Sequence, residues 1–530
     1  MIKKLYIICC LPTFLFAGQI CSAQQASTSY KNGMVVCAYP DAAKVGVDIM
    51  KKGGNAVDAA VAVQFALAVV HPIAGNIGGG GFMVYRAADG KTNTLDYREK
   101  APAAAKENMY QDANGNVIAG MSLTTHLASG VPGSVDGMYE AHKKYGKLKW
   151  AELVQPAVDL ASRGFVITGR LAASLNGTKA DFMRLNPGKY YFIKDSLWKK
   201  GDILKQADLA HTLALIRDRG REGFYNGEVA GKLVAEMKAG KGIMTAEDLK
   251  NYHSVWRTAI IGKYKSYKII TMPPPSSGGI ALLQLLHSVE KYPLSRYGHN
   301  RDSSIQLIVE AERRVYADRS KYLGDPDFYK VPVDSLLEPA YIDSRMRTFT
   351  WAHATPSSEV GAGTFVGYES DQTTHFSIVD KQGNAVSITT TLNGSFGSKI
   401  IVSGAGFLLN NEMDDFSSKP GVPNMYGLIG GKANSIQANK RMLSSMTPTI
   451  VEKDGKLFMI VGTPGGSTII TSVFQTIINV LEYGQNMQEA VSSGRFHHQW
   501  LPDDVTIEKN AVTDDVMHIL EQKGYKLVTR

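Results

Sequence analysis

A threonine at the head of a predicted β-hairpin is the feature that most constrains how this chain can fold. Apolar side chains alternate with polar neighbours at Phe376, Ile378, Val386 and Ile388. Between the two halves of this pattern lies Asp380-Lys381-Gln382-Gly383-Asn384, whose residues are typical of a turn. A period of two on both sides of a turn predicts a β-hairpin that starts at Thr373.

Cleavage of the bond between Gln372 and Thr373 would give the new terminus a hydroxyl nucleophile beside its own base. The freed α-amino group has a pKa near neutrality and can take the proton from the hydroxyl. A half-buried β-strand is the ordinary interpretation of a Thr-Thr pair. The pentapeptide Gln372-Thr373-Thr374-His375-Phe376 leaves both interpretations open when it is taken alone.

Composition bounds the class of protein. The chain has 530 residues, of which 44% are hydrophobic, so it can bury a large core and its length suggests two or more domains. The formal net charge is +9. Lysine and arginine are scattered among acidic residues and form no basic stripe interleaved with aromatic residues, so we predict no nucleic-acid partner.

The first residues predict an export signal. Lys3 and Lys4 precede an apolar run from Leu5 to Gly18, and Ala23 supplies a small residue before Gln24. This pattern predicts a secretory signal peptide over residues 1–23 and a periplasmic or secreted protein. The apolar run is too short for a stable membrane span.

The cysteines leave one alternative open at this end of the chain. Cys21 would suit a lipid-anchored form, although the bulky Ile20 precedes it where small residues are expected. Cleavage after Ala23 would leave Cys37 as the remaining cysteine, so the sequence predicts no internal disulfide bond.

Two helices are predicted near the start of the mature chain. Apolar residues recur at helical spacing from Ala42 to Lys52. Asn55 can cap the next helix, Ala56 to Val70, which is apolar nearly all round and is therefore expected to be buried. Asp58 and Gln64 argue against a membrane span.

The last third predicts strands followed by a helix. Thr449 to Glu452 and Leu457 to Val461 flank a turn and are predicted to form a second hairpin. Ser467 can cap a helix that runs to Leu481 and is closed by Gly484.

A series of ordered motifs carries a family resemblance over Asn32 to about Leu520. The stretch resembles bacterial γ-glutamyltranspeptidase, the glutathione-cleaving family of N-terminal-nucleophile hydrolases. The motifs are Gly53-Gly54-Asn55-Ala56-Val57-Asp58-Ala59-Ala60, Gly75-Asn76-Ile77-Gly78-Gly79-Gly80-Gly81-Phe82, Asp96-Tyr97-Arg98-Glu99, Pro273-Pro274-Pro275-Ser276-Ser277-Gly278-Gly279, Asp318-Arg319-Ser320 with Tyr322-Leu323-Gly324-Asp325-Pro326, Gln372-Thr373-Thr374-His375, Ser444-Ser445-Met446 and Pro464-Gly465-Gly466-Ser467.

The resemblance implies a fold and a chain organisation. The fold class is α/β (α+β), an αββα sandwich in which two stacked sheets are flanked by helices. The implied organisation is a large subunit, 24–372, and a small catalytic subunit, 373–530, cut from one precursor and held as a heterodimer. The C-terminal end looks short relative to the family, so whether this chain matures is left open.

The resemblance also implies the catalytic residues. Thr373 would attack, and Thr391 would support it through its hydroxyl. Gly465 and Gly466 stand before a predicted helix, where backbone N–H groups and the helix dipole can stabilise an oxyanion. The ordinary interpretations are a strand threonine and a tight structural turn.

A γ-glutamyl group carries an α-carboxylate and an α-ammonium, so its site needs partners of both signs. Arg98 matches the family's carboxylate-binding arginine, since arginine offers a planar bidentate fork. By the same resemblance Ser444 and Ser445 complete carboxylate binding, and the ammonium is received by Asn393, Glu412 and Asp415. Without the family, a surface salt bridge and loop serines would be the ordinary interpretations.

The remaining motifs concern the lid and cofactors. Pro420 to Gly431, around Tyr426, matches the lid loop of bacterial members, with a plain surface loop as the alternative. The run Gly78 to Gly81 has no following Gly-Lys-Ser/Thr, so phosphate binding is not expected. His497-His498 has no second ligand pair at metal spacing, and we predict no cofactor and no metal.

The resulting hypothesis is an exported, self-processing enzyme that cleaves γ-glutamyl amide bonds. It would form a γ-glutamyl-threonine acyl-enzyme and transfer the group to water or to amino acid and dipeptide acceptors, with glutathione and other γ-glutamyl compounds as substrates. Two alternatives stay open: an acylase that removes glutaryl side chains from β-lactams, and a non-catalytic binding protein that keeps the precursor uncut.

Overall fold

The computed structural model describes residues 30–188, 192–361 and 373–530. The predicted signal peptide over residues 1–23, the lipid-anchor alternative at Cys21 and the Gln372 side of the predicted cleavage bond lie outside these ranges. The domain boundaries proposed from the resemblance therefore stay a prediction.

The described residues form the following strands. They are β1 (Gly33–Val36), β2 (Gly80–Arg86), β3 (Thr92–Asp96), β4 (Phe165–Val166), β5 (Ile203–Leu204), β6 (Val255–Arg257), β7 (Ile260–Tyr264), β8 (Tyr267–Thr271), β9 (Thr374–Asp380), β10 (Ala385–Thr391), β11 (Thr449–Lys453), β12 (Lys456–Val461), β13 (Phe496–His497), β14 (Val505–Ile507) and β15 (Leu527–Thr529).

The helices of the same residues follow in chain order. They are α1 (Pro40–Lys51), α2 (Ala56–Val70), α3 (Ser134–Tyr145), α4 (Trp150–Arg163), α5 (Gly169–Gly177), α6 (Lys179–Leu185), α7 (Ala207–Arg219), α8 (Glu222–Tyr225), α9 (Gly227–Ala239), α10 (Ala246–Lys250), α11 (Gly278–Glu290), α12 (Leu294–Tyr297), α13 (Asp302–Tyr322), α14 (Val333–Leu337), α15 (Pro339–Arg345), α16 (Thr468–Leu481), α17 (Met487–Ser492) and α18 (Asp514–Gln522).

The hairpin predicted after Thr373 is confirmed. Strands β9 and β10 pair antiparallel, with Ala385 opposite Val379 and Thr390 opposite Thr374. Thr373 stands one residue before β9 and is 7% exposed. Strand β10 is buried along its whole length, because both of its faces are covered, so the polar side of the predicted alternation is buried as well.

The two predicted N-terminal helices are also present. Helix α2 has the predicted bounds, and Asn55 caps it by accepting from the N–H groups of Val57 and Asp58, each at 2.9 Å. Asp58 completes a capping box by accepting from the Asn55 N–H at 3.0 Å. Every residue of α2 is buried, as its apolar circumference predicts.

The second predicted hairpin and its helix are present with one correction. Strands β11 and β12 pair around the turn at Asp454 and Gly455, and α16 runs from Thr468 to Leu481. Ser467 stands at the N-cap position, but its backbone is already helical (φ −63°) and its side chain makes no capping hydrogen bond. That predicted cap was wrong, because the turn begins one step earlier: Thr468 N–H donates to the Gly465 carbonyl at 2.9 Å.

The layers stack as α, β, β, α. The first sheet has the order β1-β9-β10-β2-β3-β6, and the second has the order β12-β11-β8-β7. Helix α2 packs on β9 and β10 of the first sheet, whereas α11 and α16 pack on the second. Buried Phe376, Ile378 and Ile388 fill the α2 side, at about 1.5–3 kcal/mol of hydrophobic stabilisation for each side chain. The predicted αββα sandwich is confirmed.

The first sheet joins segments from both sides of residue 372. Strand β9 lies between β1 and β10, and β10 pairs along seven positions with β2, from Ala385–Arg86 to Thr391–Gly80. The sheet therefore depends on both parts of the chain. No helix within the described ranges combines the length and the apolar character needed to cross a membrane.

Candidate active site

A cavity lies at the end of the first sheet, where Thr373 stands. It brings together residues that are far apart in the chain. Of the predicted site residues, the following line it: Arg98, Thr373, Thr391, Asn393, Glu412, Asp415, Tyr426, Ser444, Ser445 and Gly466. Gly465 is the neighbour of a lining residue and does not line the cavity itself.

One side of the cavity, which we call the nucleophile wall, consists of Thr373, Thr391, Asn393 and Gly466. Thr373 precedes Thr374 and Thr391 follows Thr390, so both threonines stand just beyond the last residue pair of the β9–β10 ladder. The Thr391 hydroxyl oxygen accepts from the Asn393 N–H at 2.7 Å. The Asn393 side chain donates to the Asn411 carbonyl at 3.0 Å, and its backbone has φ +73°. This wall is neutral and is built mostly on strand ends.

The glycine pair before α16 adopts left-handed backbone conformations. Gly465 and Gly466 have φ values of +138° and +53°, which glycine adopts without steric cost. A Cβ on Gly465 would lie 2.4 Å from the Thr468 hydroxyl oxygen. Within the described part of the chain, neither glycine N–H donates to a protein group. The N-terminus of α16 adds positive potential at this point.

A second part of the lining, which we call the charged wall, consists of Arg98, Glu412 and Asp415, and Glu99 contacts Arg98 from outside the lining. Arg98 is fully buried, and its Nη1 donates to Glu412 Oε2 at 2.5 Å and to Glu99 Oε2 at 3.3 Å. Its Nη2 donates to Asp415 Oδ2. Burial raises the pKa of Glu412 and of Asp415, against the opposing effect of the Arg98 charge. The predicted carboxylate binder is thus paired with two of the three predicted ammonium binders, Glu412 and Asp415.

Ser444 and Ser445 lie between these charges and helix α13. The Ser444 carbonyl accepts from the Ser277 N–H at 2.8 Å and from the Ser277 hydroxyl at 2.7 Å. The Ser445 hydroxyl oxygen accepts from Arg319 Nη2 at 3.0 Å. Both serines are buried, so they are not the surface-loop serines of the ordinary interpretation.

The segment from Pro420 to Gly431 lies over the cavity. The Tyr426 hydroxyl donates to the Asn393 carbonyl at 2.7 Å, and Tyr426 is 4% exposed. The Met425 N–H donates to Asp414 Oδ2 at 2.8 Å, and the Asn424 amide donates to Asp415 Oδ1 at 3.2 Å. Burial raises the pKa of Asp414 to about 7. The contacts fit a closed lid; its function stays a prediction.

Four further polar residues line the cavity and had no individual role assigned from the sequence: Arg319, Ser417, Asn424 and Asn434. The Asn434 amide donates to the Asp415 carbonyl at 2.7 Å and accepts from the Leu443 N–H at 3.0 Å. Arg319 belongs to the motif Asp318-Arg319-Ser320, which was noted as part of the resemblance. That motif was the one signal in the sequence that pointed to it.

The histidine pair lies in a different environment. His497 bonds the Thr471 hydroxyl at 2.8 Å and the Gln499 side chain at 3.0 Å, and His498 bonds the Asp504 carbonyl at 2.7 Å. Among residues 30–188, 192–361 and 373–530, no group of three or more His, Cys, Asp or Glu side chains is arranged to hold a metal ion.

Comparison with known proteins identifies the family. The family model described as gamma-glutamyltranspeptidase matches residues 42–530. A glutathione hydrolase proenzyme from Escherichia coli (strain K12) is 49% identical over 94% of this chain and 86% of its own length. The chain belongs to the gamma-glutamyltranspeptidase family.

Solved structures agree with this membership. The crystal structure of Helicobacter pylori gamma-glutamyltranspeptidase matches with a TM-score of 0.62 and 45% identity, over 64% of this chain and 97% of that one. The cephalosporin acylase of Bacillus halodurans matches with a TM-score of 0.82 and 25% identity, over 97% and 92%. The gamma-glutamyltranspeptidase fold is thus shared with an acylase, and the side chains of the cavity must distinguish the two activities.

Proposed function

We propose that this member of the gamma-glutamyltranspeptidase family is an autoprocessed enzyme that cleaves γ-glutamyl amide bonds. Its substrates would be glutathione and other γ-glutamyl compounds. It would transfer the γ-glutamyl group to water or to amino acid and dipeptide acceptors. The family membership and the glutathione hydrolase proenzyme among its relatives support this activity.

The observation that carries the proposal is the combination of the two walls in one cavity. A hydroxyl at a strand head faces the same space as a buried arginine and buried carboxylates. A γ-glutamyl group brings one carboxylate and one ammonium. It can exchange partners with the Arg98–Asp415 and Arg98–Glu412 pairs, so each buried charge keeps an opposite charge.

The proposed reaction follows from the nucleophile wall. The Thr373 hydroxyl first attacks the preceding carbonyl, and water opens the resulting ester, which frees the Thr373 amine. That amine then takes the hydroxyl proton as Thr373 attacks the γ-carbonyl of the substrate. Thr391 supports the nucleophile, and the N–H groups of Gly465 and Gly466 stabilise the oxyanion. The amide leaves as an amine, and an acceptor opens the acyl-enzyme.

Substrate recognition would use the charged wall and its neighbours. Arg98, Ser444 and Ser445 hold the α-carboxylate, and Asn393, Glu412 and Asp415 receive the α-ammonium. Tyr426 closes the lid over the acyl-enzyme and limits the access of water and large acceptors.

The proposed mature form has two chains, 24–372 and 373–530, in a heterodimer. Its support is the first sheet, in which β9 and β10 of one part pair with β1 and β2 of the other. Removal of residues 1–23 and a periplasmic or secreted location belong to the same proposal.

The acylase activity is the second candidate, because a cephalosporin acylase shares the fold. A glutaryl side chain has a carboxylate and no ammonium. It would leave Glu412 and Asp415, both nearly or fully buried, without a cationic partner when Arg98 turns to the carboxylate. The acidic charges of the cavity therefore favour the γ-glutamyl substrate.

Turnover of γ-glutamyl-p-nitroanilide by the purified chain, with and without a dipeptide acceptor, tests the proposal. We expect two fragments on a denaturing gel, release of p-nitroaniline, and faster release with the acceptor. Glutaryl-p-nitroanilide is the matched comparison. A preference for the glutaryl compound would support the acylase, and a single uncut chain without turnover would support the binding-protein alternative.

A further inference from the structure

Arg319 differs from every other buried arginine in the described part of the chain. Six arginines are buried there, and five of them form an ion pair with a carboxylate: Arg86, Arg98, Arg313, Arg314 and Arg441. Arg319 is 4% exposed, lines the cavity and has no carboxylate within ion-pair distance among the described residues. The hydrogen-bond partners of Arg319 are neutral, and the Asp415 carboxylate acts on its charge from beyond ion-pair distance, so the buried guanidinium is only partly compensated.

The hydrogen bonds of Arg319 reach Ser445 directly and Ser444 through Ser277. Its Nε donates to the Ser277 hydroxyl oxygen at 2.9 Å, and that hydroxyl donates to the Ser444 carbonyl at 2.7 Å. Its Nη2 donates to the Ser445 hydroxyl oxygen at 3.0 Å. Arg319 projects from α13, a helix of 21 residues, so it holds the serine pair against a rigid element.

The bond to Ser445 fixes the direction of that hydroxyl. A serine hydroxyl has one proton to donate and two lone pairs that accept. Because Arg319 occupies a lone pair of Ser445, the hydroxyl proton points away from the guanidinium and is free to donate to an anion in the cavity. Asp415 also lines the cavity, but its carboxylate is bound to Arg98.

We propose that Arg319 is a positioning residue for the substrate's α-carboxylate. It orients the Ser445 hydroxyl as a donor. Its positive charge also compensates the α-carboxylate, because Arg98 alone cannot neutralise that group together with Glu412 and Asp415. The inference rests on the proposed γ-glutamyl activity and deepens it. The two arginines then have different tasks. Arg98 exchanges its acidic partners for the substrate's α-carboxylate, whereas Arg319 keeps fixed hydrogen bonds to the serines.

The test compares substrates that differ in the α-carboxylate. γ-Glutamyl-p-nitroanilide has the carboxylate and the amine, and 4-aminobutyryl-p-nitroanilide has the amine alone. For Arg319→Gln we expect kcat/KM on the γ-glutamyl compound to fall about tenfold or more, mainly through KM, as for loss of a charge-assisted hydrogen bond. The 4-aminobutyryl compound should change less than about twofold, because its binding does not use Arg319. Arg319→Lys should recover part of the loss.

Controls separate positioning from a general effect on folding. Arg86→Gln removes a buried arginine of strand β2 that pairs with Glu452 outside the cavity, and it should affect both substrates alike. The effects of Arg319→Gln and Ser445→Ala on kcat/KM should be non-additive, because each substitution removes the same Arg319–Ser445 hydrogen bond.

Inhibition by L-glutamate and by 4-aminobutyrate measures binding without turnover. If Arg319→Gln does not fold, Ser277→Ala is a milder variant.

Each outcome decides the inference. Equal losses on both substrates, unchanged kinetics, or additive effects with Ser445→Ala would overturn the role of Arg319. Selective loss on γ-glutamyl-p-nitroanilide would support it. A wild-type protein that is cut but does not turn over γ-glutamyl-p-nitroanilide would instead overturn the proposed function itself, so the two failures are distinguishable.

Discussion

The two walls of the cavity are built in opposite ways. The nucleophile wall is neutral, and its threonines stand at the ends of two strands whose register fixes their positions. The charged wall comes from segments more than 300 residues apart, and its members hold one another through ion pairs. If the proposed roles hold, the backbone fixes the position of the reacting group, whereas recognition depends on charges that must stay paired when they are buried.

The largest expected effect concerns the nucleophile wall. Thr373→Ala should leave one full-length chain without γ-glutamyl turnover, because the hydroxyl that starts cleavage is gone. Denaturing gels and mass spectrometry measure the products. Thr373→Ser keeps a hydroxyl and should still be cut, and Thr374→Ala removes the neighbouring hydroxyl without stopping cleavage. Spontaneous cutting of Thr373→Ala at the same bond would remove Thr373 from its role.

The charged wall predicts a smaller and selective effect. Asp415→Ala, and the isosteric Asp415→Asn, should lower kcat/KM for γ-glutamyl-p-nitroanilide by roughly tenfold or more. Each lost charged hydrogen bond costs about 1.5 to 3 kcal/mol, at about 1.4 kcal/mol for a factor of ten. Glutaryl-p-nitroanilide, which has no amine, should be poor for the wild type and little affected by either variant. Equal losses on both substrates would contradict recognition of the ammonium by Asp415.

The lid connects the two walls and should show a weaker effect. Tyr426→Phe removes the hydroxyl that donates to Asn393, a bond worth about 0.5–1.5 kcal/mol. We expect a change of a few-fold in the preference among acceptors, with chain cleavage at its normal rate. Acceptor panels and time courses of maturation measure both. Identical kinetics with every acceptor would show that the segment is a surface loop.

The last prediction concerns stability with pH and not activity. Asp414 anchors the lid through Met425, and burial raises its pKa from 3.8 to about 7. The folded chain therefore holds this proton more tightly than the unfolded chain. This contribution to the free energy of unfolding is complete below about pH 4, falls as the pH rises to about 7, and is level above, with a slope of at most about 1.4 kcal/mol per pH unit.

Asp414→Asn isolates that contribution, because the amide has the shape of the protonated acid and does not titrate. Urea unfolding at several pH values from 4 to 8 should give a shallower decline for this variant than for the wild type. The other buried acids are common to both proteins and cancel in the comparison. Parallel curves would show that Asp414 does not carry the raised pKa.

The parts of the fold that the sequence predicted are those with local signals. Three features were predicted correctly: the Asn55 cap, the all-round apolar helix α2 and the hairpin after Thr373. Each depends on residues that are close together in the sequence. The Ser467 cap failed because the glycine pair before it started the turn early. The stacking of two sheets came from the resemblance, because no local pattern states which strands pair across hundreds of residues.

For the candidate site, the sequence likewise supplied the identities of residues but not their contacts in space. The resemblance supplied Arg98, Glu412 and Asp415, and the structure places them in one cavity. It did not supply their mutual ion pairs, because pairing is decided by burial and distance in space. The motif Asp318-Arg319-Ser320 pointed to Arg319 but not to its role, because that role depends on which groups are its partners in space, and the spacing of a motif does not specify them.

The shared first sheet has a consequence for how the protein can recover from denaturation. Before the proposed cut, β1, β2, β9 and β10 assemble within one chain, so folding is independent of concentration. After it, the same sheet must form from two separate molecules, and refolding becomes bimolecular and depends on protein concentration. Dilute mature protein that has lost its structure would therefore stay unfolded under conditions in which the precursor refolds. Whether the same sequence can regain its native state would then depend on whether the chain has already been cut.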